Sequence, residues 1–212
     1  MSMQIVSNPY LIYHLTNSKA LLGTMSLVGS LPMIFVSVFG GAFADRLRKK
    51  SILITGMSSL ALTSLGIAFA LMTGALNSQN PASWWILIIA SVIQGCIMGM
   101  MMPAIQAIIP ELVTRDQLMN AIAMNTLGMT SLNLLAPVAA GYIIGDAGNY
   151  ETVYFVMTGC YLTAMFFALF LPNREKLVRT GANILKEIRE GFSYMRSNKL
   201  VFRILLFTLI CV

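Results

Sequence analysis

Five stretches of this sequence, at 20–44, 51–73, 84–109, 118–145 and 152–171, contain no Asp, Glu, Lys or Arg. Each is long enough to cross a hydrocarbon core of about 30 Å, which takes about 20 residues at a helical rise of about 1.5 Å. A charge at the bilayer centre costs at least about 2.5 kcal/mol, so runs this long and clean are what a membrane selects. A soluble fold would need a polar face on most helices. Charged residues make up only 10% of the chain, against roughly a quarter in a soluble domain. The expected fold class is therefore an all-α integral membrane protein, and a soluble enzyme is excluded.

The basic residues give the spans an orientation. Arg46, Arg48, Lys49 and Lys50 follow the first span, Arg115 follows the third, and seven Lys and Arg between 174 and 199 follow the fifth. The loops on the other side, 74–83 and 145–151, have none, and Lys19 alone precedes the first span. By the positive-inside rule the loops at 45–50, 110–117 and 172–199 are expected in the cytoplasm, in a multi-pass protein of the inner (plasma) membrane. The net charge of +6 thus belongs to the membrane boundary, and no nucleic-acid partner is expected.

The ends differ from the middle. Residues 1–16 are apolar but short, and Asn8, Pro9 and His14 interrupt them. They fit the outer part of a first helix whose beginning is absent. Residues 200–212 fit the truncated start of a further helix, so the chain reads as a fragment. Between them, 172–199 carries Ile184, Leu185, Ile188, Phe192 and Met195 at helical spacing with charges on the other faces. That pattern suits an amphipathic helix on the cytoplasmic surface, with a plain linker as the alternative.

No catalytic, metal or cofactor site is legible. His14 is the single histidine, and Cys96, Cys160 and Cys211 stand apart within apolar sequence, as small hydrophobic residues do. The candidate functional residues are of another kind. Gly41, Asp45, Arg46, Lys49 and Lys50 make a tight charged turn after the first span, where one acid stands among cations. Gly128, Ala136, Pro137, Ala140 and Gly141 place small residues and a helix-breaking proline in the fourth, a pattern suited to close packing and a kink. Gln94, Met98, Asn125 and Asn133 supply weak hydrogen-bonding groups and a flexible thioether for a cavity lining.

The run from Gly40 to Lys50 resembles the loop signature of the major facilitator superfamily, G-x-L-A-D-R-x-G-R-[RK]. Gly41, Ala44, Asp45, Arg46, Lys49 and Lys50 match by type, while Phe43 replaces leucine and Arg48 replaces the second glycine. Ala136-Pro137-Val138-Ala139-Ala140-Gly141 is similar to the exporters' G-P-x-x-G-G, with alanine for two glycines. Gln94 and Gly95 match the end of R-x-x-Q-G, but Ser91 stands where the family's arginine, often linked to proton coupling, would be. The segments from Met101 to Ala121 and from Leu185 to Tyr194 resemble the branch of exporters related to the enterobactin permease.

The resemblance implies the N-terminal six-helix bundle of a twelve-helix facilitator, lacking most of helix one and ending at the start of helix seven. It implies that Asp45 and its basic neighbours stabilise the outward-facing state against the other six-helix half. Its partners would be the lipid bilayer, a small-molecule substrate and that second half. The expected function is secondary active efflux of a small amphiphilic molecule, siderophore-like or drug-like, by alternating access, with proton coupling implied by the resemblance alone. An uptake carrier of the same fold and a non-transporting membrane scaffold remain as alternatives.

Overall fold

The computed structural model describes residues 2–46, 48–76, 83–147 and 150–171, with the side chains of 2, 5, 6, 41–46, 83, 146 and 147 outside what is described. The expected surface helix at 172–199 and the further helix at 200–212 also lie outside the described residues. The described residues are built from six α-helices: α1 Ser2–Thr16, α2 Lys19–Arg46, α3 Lys49–Met72, α4 Ser83–Leu112, α5 Leu118–Ala147 and α6 Tyr150–Leu169. A single 3-10 turn, Arg115–Gln117, precedes α5. Helices α2 to α6 are long and apolar enough to cross a membrane, and helix is one of the two forms that satisfy every backbone group within lipid.

The connections are short because the turn residues allow it. Asn17, between α1 and α2, adopts φ +50°, a left-handed conformation that asparagine tolerates better than most residues. After α3, Gly74 takes φ +70°, so the chain folds back and the Leu76 N–H reaches the Ala70 carbonyl at 3.0 Å. Helix α2 runs to Arg46 and α3 begins at Lys49. Lys49 and Lys50 are therefore the first turn of α3 and not loop residues.

Packing is most extensive between α2 and α4 and between α3 and α6, followed by α3 on α4 and α1 on α5. Lipid tails are as apolar as leucine, so the hydrophobic effect does not draw these helices together; close packing and hydrogen bonds must. The α2–α4 contact shows how. A side chain on Gly95 would collide with the Gly29 carbonyl of α2, and one on Gly99 would place its Cβ 2.7 Å from the Met33 carbonyl oxygen. From the other side, a Cβ on Gly40 would stand 2.5 Å from the Gly99 carbonyl oxygen. The two backbones touch over about three turns because these positions carry no side chain.

Burial is uneven. In the apolar window of α3, 44% of residues are buried and in α4 39%, against 6% in α2 and 11% in α5. The core runs through Leu11 and Ile12 of α1, Leu60 and Ile67 of α3, Leu87 and Met101 of α4, and Val153 and Tyr154 of α6. Helices α2 and α5 instead present Leu31, Phe35, Val38, Leu127, Leu134 and Val138 outward.

Gly99→Ala should destabilise the bundle, because the added methyl meets backbone that cannot step aside. Gly128 has no atom within 4 Å of where a Cβ would sit, so Gly128→Ala should be neutral or stabilising by up to about 1 kcal/mol through helix propensity alone. Unfolding in mixed micelles checks this, and the two changes should have opposite or clearly unequal effects.

Candidate functional site

Gln4, Ser7 and Asn8 share one face of α1 by their spacing, and all three are buried. In lipid or in a protein core such groups need partners, and α6 and α4 supply them. The Tyr154 hydroxyl donates to Asn8 Oδ1 at 2.7 Å, and Asn8 Nδ2 donates to Gln94 Oε1 at 3.2 Å. One turn towards the start of α1, the Tyr161 hydroxyl donates to Gln4 Oε1 at 2.9 Å. Ser64 of α3 joins by donating to the Tyr154 carbonyl at 3.0 Å. Four helices are thus tied through one chain of neutral groups.

The chain of bonds is not saturated. Gln4 Nε2, Ser7 Oγ and Gln94 Nε2 are buried without a hydrogen-bond partner among the described residues. Ser91, one turn before Gln94, is also buried, its hydroxyl 3.4 Å from Met25 Sδ. Amides, phenols and hydroxyls in this arrangement orient one another without carrying net charge. Among the described residues there is no group of three His, Cys, Asp or Glu side chains that could hold a metal ion.

A second cluster closes the basic end. Lysines in the first turn of a helix oppose its dipole, so Lys49 and Lys50 gain from acceptors elsewhere. Lys49 Nζ forms an ion pair with Glu111 and donates to the Ala107 carbonyl at 3.1 Å. Lys50 Nζ donates to the carbonyls of Leu169 and Leu171, each at 2.7 Å. These acceptors lie in the last two turns of α4 and at or just beyond the end of α6, near the negative pole of each helix. The start of α3 is thereby clamped to the finish of both neighbours, which fixes α3 antiparallel to them.

The sequence-derived candidates are spread across this frame. Gln94 is packed against Asn8 in the bundle interior, Met98 and Asn125 are half-buried, and Asn133 is exposed. On α5, Ala140 is fully buried and Ala136 and Pro137 are half-buried. Gly128 and Gly141 have open space where a side chain would extend. The helix is continuous through Pro137. Gly41, Asp45 and Arg46 lie at the end of α2, with their side chains outside the described residues.

Several residues of the site escaped the sequence reading. In the sequence Asn8 interrupts a short apolar stretch, yet in the structure it is the hub of the interior bonds. Gln4 and Asn8 at i, i+4, with Tyr154 and Tyr161 two turns apart, were the available signal. Gly95 and Gly99 form a G-x-x-x-G pair that was equally visible. Glu111 gave no comparable signal, because its meeting with Lys49 spans 62 positions.

Tyr154→Phe removes the donor to Asn8 while keeping the ring. Interhelical hydrogen bonds in membranes average about 0.6 kcal/mol and reach about 1.7 kcal/mol, and the upper part of that range is expected here because Asn8 Oδ1 is left buried. Tyr142→Phe, at a residue 72% exposed, should change little. Unfolding of the two variants side by side measures the difference.

Comparison with known proteins agrees with this architecture. Residues 1–212 match the family model described as Major Facilitator Superfamily. Among curated proteins, the multidrug resistance protein MdtG of Klebsiella pneumoniae (strain 342) is 27% identical over 198 residues, covering 92% of this chain and 45% of that protein. MdtG of Escherichia coli (strain 55989 / EAEC) is 28% identical over the same length and shares of each chain. The uncharacterized MFS-type transporter YfiS of Bacillus subtilis (strain 168) is 21% identical over 172 residues, 79% of this chain and 38% of its own. The chain spans less than half the length of these relatives. With the family model matched from end to end over six described helices, this multi-pass membrane chain belongs to the Major Facilitator Superfamily.

Proposed function

We propose that the chain is the N-terminal bundle of a facilitator that exports small amphiphilic molecules by alternating access. The observation that carries this reading is the division of labour among the helices. Helices α3, α4 and α6 are packed inward, while α2 and α5 keep long apolar faces nearly unburied. A bundle built this way is a rigid half that rocks against a second half along α2 and α5, with the clamp at Lys49 and Lys50 holding its basic end together.

The chemistry of the interior supports the substrate class. The charge-free spans offer amides, hydroxyls, phenols and thioethers, which suit an uncharged or amphiphilic molecule better than an inorganic ion. The names of the multidrug-resistance relatives favour a drug-like cargo over a siderophore-like one. The same charge-free interior puts any proton-carrying acid outside these spans. Asp45 and Arg46, at the end of α2, are proposed as state-controlling residues on the basic side, and that side is proposed to be cytoplasmic.

Everted vesicles containing the full transporter, given a panel of lipophilic dyes, amphiphilic drugs and siderophores with and without a proton gradient, test the reading. Accumulation of amphiphiles inside the vesicles is expected. Accumulation confined to inorganic ions, or net movement only in the uptake direction, would refute it. The 212-residue chain reconstituted by itself should show no saturable flux.

A further inference from the structure

Arg48 occupies the position where the family's loop signature has a glycine, and the described structure gives it a distinct setting. Its neighbours Lys49 and Lys50 are engaged by Glu111 and by the carbonyl ends of α4 and α6. Arg48 is exposed and forms no ion pair with a described residue. It stands with Ser51 at one end of an open groove of about 520 Å³ between α3 and α4, a volume within the range of about 300–1,000 Å³ typical of small-ligand sites. The far end is marked by Ser59, and the apolar wall by Ile52, Ile97 and Met101.

The groove has the polarity of an amphiphile. From Arg48 to Ser59 is eleven residues of helix rise, about 16 Å, close to the half-thickness of a hydrocarbon core, about 15 Å. Two of its three hydroxyls make no demand on an occupant. Thr55 Oγ1 donates to the Ser51 carbonyl and Ser59 Oγ to the Thr55 carbonyl, both at 2.8 Å, so their protons are already committed. What remains along the groove is a surface compatible with an alkyl chain, with the Ser51 hydroxyl and a guanidinium that pairs with no described residue at its boundary end. Gly56 lets the Met101 side chain pack close against α3 at the wall of the groove, because a Cβ there would collide with the Met101 thioether.

We propose that this groove holds an anionic phospholipid of the leaflet on the basic side, with its phosphate on Arg48 and one acyl chain laid along α3 toward Ser59. A guanidinium pairs with phosphate through parallel hydrogen bonds. The lipid rather than a soluble anion is the occupant because the groove continues about half a bilayer inward from the charge. The site is independent of the transported substrate and of the direction of transport.

Native mass spectrometry of the purified 212-residue chain with phosphatidylglycerol or phosphatidylcholine added tests it. Phosphatidylglycerol adducts should be favoured about fivefold, equivalent to the ~1 kcal/mol one basic residue contributes beside anionic lipid. Arg48→Gln should abolish the preference, Thr55→Leu should reduce retention of both lipids by filling the groove, and Lys19→Gln at the opposite boundary should leave the preference intact. Equal retention of the two lipids by the unaltered chain would overturn the proposal. So would a preference that survives Arg48→Gln, or displacement of the lipid by inorganic phosphate, which would mark a soluble-anion site. Circular dichroism establishes that each variant keeps its helicity; if Arg48→Gln does not, unchanged lipid retention in Thr55→Leu is the overturning result.

Discussion

The contact between α2 and α4 is the constraint on which the arrangement of the other helices depends. In a bilayer, apolar side chains gain nothing by leaving lipid for protein, so a bundle must be held by contacts that lipid cannot imitate. Backbone laid on backbone is one, and Gly95 and Gly99 provide it against Gly29 and Met33. Because α4 is held that closely to α2, its opposite side is free to take α3. The groove lined by Arg48, Ser59 and Met101 runs along that second contact.

Hydrogen bonds are the other contact that lipid cannot imitate, and here they are concentrated on α1. Its face of Gln4, Ser7 and Asn8 turns inward, and two tyrosines of α6 and one glutamine of α4 answer it. At the basic end the same logic is carried out with charge: two lysines that their own helix dipole disfavours are stabilised by the carbonyl ends of the helices beside them. The interior is thus neutral where it is deep and charged only where it meets headgroups. Helices α2 and α5 keep most of their apolar windows unburied, the surfaces along which the proposed rocking against a second half would take place.

Most of the fold was legible because membranes impose long, simple signals. Charge-free length located five spans, and the signature around Asp45 identified the family over the whole chain. The interior was harder to read. A polar residue such as Asn8 lowers the apolar score of a stretch, so the property that makes it a hub also made α1 look like a broken helix. Lys49 and Lys50 carry both an orientation signal and a place in the charged turn of candidate gating residues, but their partners lie 58 to 121 positions away, and no local pattern encodes that distance. For α5 the small residues were evident in the sequence, and only the packing distinguishes the buried Ala140 from Gly128 and Gly141, which border open space.

The central claim is that the six helices move as one body. Spin labels at Leu62 of α3 and Val138 of α5, both exposed, report on it directly by pulsed electron resonance in the full transporter. The distance distribution should be single and unchanged between conditions that favour opposite-facing states, while a label pair spanning the two halves shifts. A second population within the α3–α5 pair, appearing as the transporter changes state, would contradict the account.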